Sequence, residues 1–490
     1  MFKVKEIVEV CKGELLLGNV NQIIETFTRD SREITSKSEM FLSFIGENFN
    51  GNDFFEEALK NGAIGCIVNK DIDKEIVEKY ENKIIIKVDN TVEAIQRLAK
   101  YKREQYNIPV IAVTGSVGKT STKDLIASVV AKKYNVLKTR ENNNNDIGLA
   151  LTLLRLEDHN AIVLEIGMNH FGEISRLAKI AQPTIAVINN IGTAHIGNLG
   201  SREGILKAKL EILEGLKENG ILVINNDNDL LSKWNRERKM HKTNRSDDSP
   251  SLAPHSSATG KEELLNFMPF SVQTFGIENK SDFMAYDIEY NENSSKYNIN
   301  IENSTYNIEV PVGGEHFVLN SLGAICVGKL LNINKEDILE GIKNFELSKM
   351  RMDIKKTSKD ILIINDAYNA SYDSMKYTLR YLNSLDNTRK IAVLGDMLEL
   401  GEYAKELHEK VGEEVAKNNI DILITLGENS KYIANRAKEL KINKEIYECN
   451  TIDEISSILK AILKKGDAIL IKGSRGMELE KVLEGIRDVI

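Results

Sequence analysis

Residues 114–122 read TGSVGKTST, set between a β-branched run at 108–114 (IPVIAVT) and a helical pattern at 119–132. A strand, a glycine turn and a helix in direct succession form a phosphate-binding loop. Such a loop commits the surrounding chain to a parallel sheet with helices on its faces. Gly115 and Gly118 let the backbone turn sharply and bring N–H groups against a polyphosphate. Ser116, Val117 and Ser121 complete the lining of the loop. Lys119 is placed to reach β- and γ-phosphates, and the Thr120 hydroxyl suits Mg²⁺. The new helix aims its first N–H groups and its dipole at the anion. Only two residues separate Gly115 from Gly118-Lys119-Thr120, so this is a shortened form of GxxxxGK[ST].

The rest of the chain agrees with that start. Further apolar strands are predicted at 161–165 (AIVLE) and 184–189 (TIAVIN), followed by a helix at 202–216. This alternation gives an α/β fold built on a doubly wound, mainly parallel sheet. Between 281 and 312 the pattern changes to polar–apolar alternation (YDIEY, KYNINIE, TYNIEVPV), which predicts antiparallel strands at one edge. Near Met350 a second, Rossmann-like α/β unit begins. Its strands are expected at 361–365, 390–394, 420–426 and 468–472, with helices such as 402–416 between them. The first 90 residues read as a third, smaller α/β unit. Three domains are therefore expected, at 1–90, 91–349 and 350–490, as suits a chain of 490 residues. Residues 239–263 (KMHKTNRSDDSPSLAPHSSATGKEE) are polar and without apolar period, and are expected to be a flexible surface insertion.

Composition excludes several classes. Lys and Arg number 65 against 73 Asp and Glu, a net charge of −8, which argues against a general nucleic-acid binder. Cys11, Cys66, Cys326 and Cys449 are far apart, with no CxxC pair, so neither a disulfide framework nor a structural zinc site is expected. The N-terminal MFKVKEIVEVCKGE lacks the apolar stretch of a signal peptide, and no run approaches a membrane span. A cytoplasmic protein acting on small molecules is expected.

The shortened loop TGSVGKTST resembles that of the Mur ligase family of ATP-dependent amide-bond-forming enzymes, and the resemblance extends over nearly the whole chain. It is carried by TRENNNNDIG (139–148), LEIGMNHFGEI (164–174), NIGTAHIGNLGS (190–201), KAKLEI (207–212) and GGEHFVLNSLGA (313–324). In the last third it continues in Arg351, INDAYNASYDSM (364–375), LGDMLELG with His408 downstream, and IKGSRGMELE (471–480). DSRE (30–33) and FIGENFNGNDF (44–54) are similar to the family's UDP-substrate domain. The chain departs from the family pattern at Asn365-Asp366 (usually Asp-Asp), Ser371-Tyr372 (usually Asn-Pro) and Asn50-Gly51-Asn52 (usually Asp-Gly-His).

The resemblance implies that ATP phosphorylates a carboxylate and that an amine then attacks the acyl phosphate. The INDAYNASYDSM segment points to the member that adds D-alanyl-D-alanine to UDP-N-acetylmuramoyl-tripeptide. It implies a UDP-substrate unit at 1–90, an ATP unit at 91–349, and a unit at 350–490 shared by ATP and the dipeptide. Two anions must meet, so two Mg²⁺ ions are the natural clamp, and Mn²⁺ can substitute. Thr120 and Glu165 fit one ion, with Glu165 ending a strand at the sheet edge where open α/β folds bind ligands. His195 resembles the ligand to a second ion. Lys209 occupies a position that is typically carbamylated; the alternatives are an ordinary helix cation or an unmodified partner for phosphate. Asn142, Asn144 and Asn145 are assigned between ATP and the substrate carboxylate, or else form a polar turn. Asn320, with His316 one turn away, is assigned to the adenine. Arg351 and Asp366 are assigned to the nucleotide from the third unit, and Tyr368 and Asn369 to the dipeptide pocket. Lys472 and Arg475 are further candidates for the dipeptide carboxylate. Ser31 and Arg32 are assigned to the uridine diphosphate end. The expected catalytic set is Lys119, Glu165, His195, Lys209 and Arg351, and with one site per chain a monomer suffices. Competing readings are a sister ligase adding the third amino acid and a folylpolyglutamate synthase-like ligase. Outside this chemistry stand a P-loop kinase or GTPase, which would carry a longer loop or a guanine signal, and a silent nucleotide-binding scaffold.

Overall fold

The computed structural model describes residues 1–46, 48–243, 270–386, 389–440 and 445–490. Besides a two-stranded pairing of Phe2–Lys3 with Ile23–Ile24, three larger sheets follow one another along the described residues. The first has five strands in the order Glu14–Leu17, Ile84–Lys87, Gly65–Val68, Glu39–Leu42, Thr26–Thr28, parallel except for the Glu14–Leu17 edge.

The central sheet has nine strands among the described residues. Its order is Ser304–Val310, Ser295–Ile301, Phe283–Tyr290, Ser271–Gly276, Ile221–Asn225, Ile185–Ile188, Val110–Thr114, Ala161–Glu165, Val136–Lys138. Val110–Thr114, Ala161–Glu165 and Ile185–Ile188 are buried along their whole length, as uninterrupted apolar runs covered on both faces should be. The expected antiparallel edge is present in Phe283–Tyr290, Ser295–Ile301 and Ser304–Val310, where Tyr297, Ile299, Tyr306 and Ile308 face the core. On its other side Phe283–Tyr290 pairs in parallel with Ser271–Gly276, which joins the antiparallel edge to the parallel part of the sheet. The helix expected at 202–216 is α-helical only over Arg202–Leu210 and tightens to a 3₁₀ turn at Glu211–Glu214. Of the insertion expected at 239–263, residues 239–243 lie inside the helix Asp229–Thr243, and residues 244–263 lie outside the described residues.

The third sheet runs Asp353–Lys356, Leu362–Asn365, Asp467–Lys472, Arg389–Gly395, Ile422–Leu426, Glu445–Cys449. Asp353–Lys356 is antiparallel to its neighbour and the rest are parallel. Two of these strands are not legible in the sequence: Asp353–Lys356 is polar, and Glu445 and Glu448 interrupt the apolar residues of Glu445–Cys449. Among the described residues, no helix is long and apolar enough to cross a membrane.

Chain order places the site. In the central sheet the chain leaves Val110–Thr114 for one side (136–138, then 161–165) and crosses over it to 185–188 on the other. Strand order therefore reverses at Val110–Thr114, and a crevice opens at the carboxyl ends of it and its two neighbours. In the third sheet, Asp467–Lys472 returns between Leu362–Asn365 and Arg389–Gly395. The carboxyl ends of these strands face the same crevice.

Candidate active site

The crevice is a cavity of about 450 Å³ lined by both sheets. One wall is the loop at 116–121. Gly118 has φ +79°, and a Cβ there would lie 2.8 Å from Asn189 Nδ2 and 3.0 Å from Asn320 Oδ1. Both conformation and space therefore demand glycine. Asn190 ties the loop down: its Oδ1 accepts from the N–H groups of Ser116 (3.0 Å) and Val117 (2.8 Å), and its Nδ2 donates to the Val117 carbonyl. The helix Lys119–Val130 follows at once, and its first N–H groups have no partner within the helix. Lys119 Nζ donates to the Gly115 carbonyl at 2.9 Å across the loop. Burial pulls the Lys119 ammonium below its ordinary value; Glu165 opposes this and Arg351 adds to it.

Thr120, Glu165 and Asn144 form the floor. Thr120 Oγ1 donates to Glu165 Oε2 at 2.8 Å, and Asn144 Nδ2 donates to Glu165 Oε1 at 2.7 Å. The Glu165 backbone N–H is held by Thr139 Oγ1 at 3.0 Å. A hydroxyl and a buried carboxylate beside a phosphate loop are the hard oxygen donors Mg²⁺ takes, so these residues fit such an ion. Asn142 also lines the cavity. Asn145 does not: its Oδ1 accepts from Gly148 N–H and caps the helix Asp146–Leu154. Of the two readings, substrate contact or polar turn, the observed bond is that of a capping turn.

The opposite wall comes from the third sheet. Lys472, 2% exposed, pairs with Asp366 and donates to the Asn369 carbonyl at 3.0 Å. It is thus the partner of Asp366 at the ends of adjacent strands, rather than an open cation. Asp366 Oδ1 accepts from the Met352 N–H at 3.1 Å. Arg351 stands between two residues with left-handed backbone, Met350 and Met352, and its guanidinium lies 4.0 Å from the centre of the Tyr368 ring. Arg475, at the rim, is paired with Glu480.

His195 is held at φ +64°, and its Nδ1 lies 2.6 Å from Glu399 Oε2 of the third unit. Asp373, at the start of the helix Tyr372–Ser384, accepts from Thr193 N–H (2.7 Å) and Oγ1 (2.9 Å). These contacts dock the two units onto each other. Asn320 is 1% exposed and sits beneath the loop, where Oδ1 accepts from Asn189 and Nδ2 has no partner. His316 lines the cavity with an unpartnered Nδ1, and burial lowers its pKa to about 4, so the ring is neutral. Lys209 is 1% exposed and lines no part of the cavity surface; burial, then Lys119, drives its amine well below the ordinary value. Among the described residues it has no carboxylate partner, and no cluster of three or more His, Cys, Asp or Glu stands ready for a metal.

Ser31 and Arg32 belong to the first unit and do not line the cavity; Arg32 forms a bidentate pair with Asp30. Sequence reasoning missed Asn189, Asn190, Asp373 and Glu399. Asn190, Asp373 and Glu399 lie inside segments that carry the family resemblance, but their roles appear only when strands far apart in sequence meet.

Family models match this chain twice: the Mur ligase middle domain over residues 113–251 and 254–328, and the Mur ligase glutamate ligase domain over 350–475. A UDP-N-acetylmuramoyl-tripeptide–D-alanyl-D-alanine ligase from Bacillus subtilis is 35% identical over 487 residues, covering 99% of this chain and 98% of that one. The ligase of the same name from Escherichia coli is 28% identical, covering 99% and 98%. The fold matches the crystal structure of MurF from Acinetobacter baumannii with a TM-score of 0.85 at 27% identity, covering 99% of each chain. It also matches the MurF ligase from Thermotoga maritima in complex with ADP, with a TM-score of 0.78 at 28% identity, covering 95% and 97%. With its shortened phosphate loop, its two-sheet crevice and these matches over nearly its full length, the chain belongs to the Mur ligase family.

Proposed function

We propose that this chain is an ATP-dependent ligase that joins D-alanyl-D-alanine to UDP-N-acetylmuramoyl-tripeptide, releasing ADP and phosphate. The observation that carries it is the single cavity in which Lys119, Thr120 and Glu165 of the central sheet face Arg351, Asp366, Tyr368 and Asn369 of the third. Full-length similarity to ligases of that name supports the choice of substrates. The ADP complex of the Thermotoga relative supports the nucleotide.

The division of labour we assign is UDP recognition by residues 1–90 through Ser31 and Arg32, nucleotide binding by 91–349, and nucleotide and dipeptide binding by 350–490. The loop N–H groups and Lys119 hold the terminal phosphates, and Arg351 approaches from the other wall, where its planar fork suits a transferring phosphoryl group. Thr120 and Glu165 are the residues that would hold Mg²⁺, and His195 a second ion; bound there, such ions neutralise the phosphate charge. Asn142 and Asn144 orient the substrate carboxylate. Attack by the carboxylate on the γ-phosphoryl group gives an acyl phosphate, and the dipeptide amine, held by Tyr368 and Asn369, displaces the phosphate. Docking of the two units excludes water, which would otherwise hydrolyse the acyl phosphate. The orphaned polar atoms of His316 and Asn320 suit the adenine edge. Lys209 is assigned as a carbamate. Carbamylation requires a neutral amine, and burial favours one. The site is complete within one chain, in keeping with a monomer, and the four cysteines are free and buried, in keeping with a reducing cytoplasm.

Phosphate release, assayed with D-Ala-D-Ala, meso-diaminopimelate, L-Lys or L-Glu as acceptor, tests this reading. Release should require both the tripeptide precursor and D-Ala-D-Ala, and Lys119→Ala should abolish it. Turnover with a single amino acid in place of the dipeptide would overturn the assignment.

A further inference from the structure

We propose that Glu399 is a positioning residue for the ligase reaction, which from the third unit fixes the orientation of the His195 ring at the wall of the cavity. The proposal rests on the function given above.

Both residues line the cavity, and His195 Nδ1 lies 2.6 Å from Glu399 Oε2. A carboxylate can only accept, so the proton in this bond sits on Nδ1. The other nitrogen, Nε2, takes no part in this bond. A carboxylate behind an imidazole selects the tautomer, locks the ring plane and raises the basicity of the distal nitrogen. Without Glu399, His195 could rotate or change tautomer on its loop.

The surroundings fix Glu399 more firmly than a chance surface pair. Its backbone is left-handed at φ +63°, as is that of His195 at φ +64°, and such conformations persist only where neighbouring contacts impose them. The contacts are present. His408, fully buried, accepts the Met397 N–H on Nε2 at 3.0 Å, while its Nδ1 lies 2.6 Å from the Ala404 carbonyl. His408 is thus held in the tautomer with Nδ1 protonated. Ser474 Oγ accepts the Leu398 N–H at 2.9 Å. The Glu399 carbonyl itself accepts from Gly197 N–H, two residues beyond His195, at 3.3 Å. A Cβ on Gly197 would lie 2.8 Å from the Glu399 oxygen and from Gly401 N, so the two loops meet backbone to backbone. The segment 396–401 is therefore a rigid mount, set by His408 and Ser474, that offers one carboxylate to one imidazole across the junction.

The test uses the full chain labelled with ¹⁵N-histidine, without metal or nucleotide, together with Glu399→Gln and Glu399→Ala. In the wild type at alkaline pH, where an imidazole is neutral, long-range ¹H–¹⁵N correlation should show His195 with a protonated Nδ1 and an unprotonated Nε2, the resonance being assigned by its loss in His195→Gln. Both Glu399 variants should lose that single-tautomer signature while their melting temperatures stay close to wild type. In steady-state assays kcat should fall 10- to 100-fold, with the KM for the UDP substrate within about twofold. A wild-type ring that is mixed or Nε2-protonated overturns the proposal, as does an unchanged His195 spectrum or unchanged kcat in both variants. If Glu399→Ala fails to fold, the isosteric Gln variant decides alone. The spectrum needs neither substrate nor turnover, so it separates failure of this proposal from failure of the assigned reaction.

Discussion

Gly192→Ala should uncouple the two walls of the cavity, and the structure sets how strongly. A Cβ at residue 192 would lie 2.3 Å from Asp373 Oδ2 and 2.7 Å from its Cγ, far inside van der Waals contact. That same Oδ2 accepts both the N–H and the Oγ1 of Thr193. The alanine methyl therefore expels the carboxylate from its two hydrogen bonds. Each bond to a charged acceptor contributes roughly 1.5–3 kcal/mol, and taking the low end for a half-buried pair gives about 3 kcal/mol lost from docking. At about 1.4 kcal/mol per decade, the docked state falls on the order of 100-fold, and kcat/KM for ATP falls with it. The assay is steady-state phosphate release by wild type, Gly192→Ala, Asp373→Ala and the double variant. Asp373→Ala removes both the clash and the bonds, so Gly192→Ala should add little in that background. Two penalties that simply add would refute the reasoning, because the harm would then come from residue 192 alone and not from its contact with Asp373.

Two further outcomes follow from burial. His316 has its pKa lowered from 6.5 to about 4, so it resists protonation when folded and accepts a proton more readily when unfolded. Its contribution is neutral above pH 6.5 and becomes destabilising as pH falls from there toward 4, by up to about 3 kcal/mol. Urea unfolding at pH 7.5 and pH 5 should show a smaller loss of stability at pH 5 in His316→Gln than in wild type; equal losses would count against it. For Lys209, ¹³C-bicarbonate should yield a carbamate resonance that disappears in Lys209→Arg, and its absence in the wild type would leave Lys209 an unmodified amine.

What could be read from the chain alone was whatever depends on neighbours in sequence. Gly115, Gly118, Lys119 and Thr120 are consecutive enough that spacing itself specifies the cradle, and Val110–Thr114 and Ala161–Glu165 announce buried parallel strands by apolar runs. Asn145 reads either way from sequence, because an Asn-rich turn looks the same whether its amides face a ligand or cap a helix; the bond to Gly148 shows the cap. Lys472 reads from sequence as a candidate for the dipeptide carboxylate; the insertion of the strand Asp467–Lys472 beside Leu362–Asn365 delivers it to Asp366. Tertiary structure decided the pairs that join the two walls: His195 with Glu399 lies 204 residues apart in sequence, and Thr193 with Asp373 lies 180 apart. Local propensity reaches only a few residues. Which carboxylate meets which loop is settled by strand order and by the packing of one sheet edge against another, and no spacing along the chain encodes that distance.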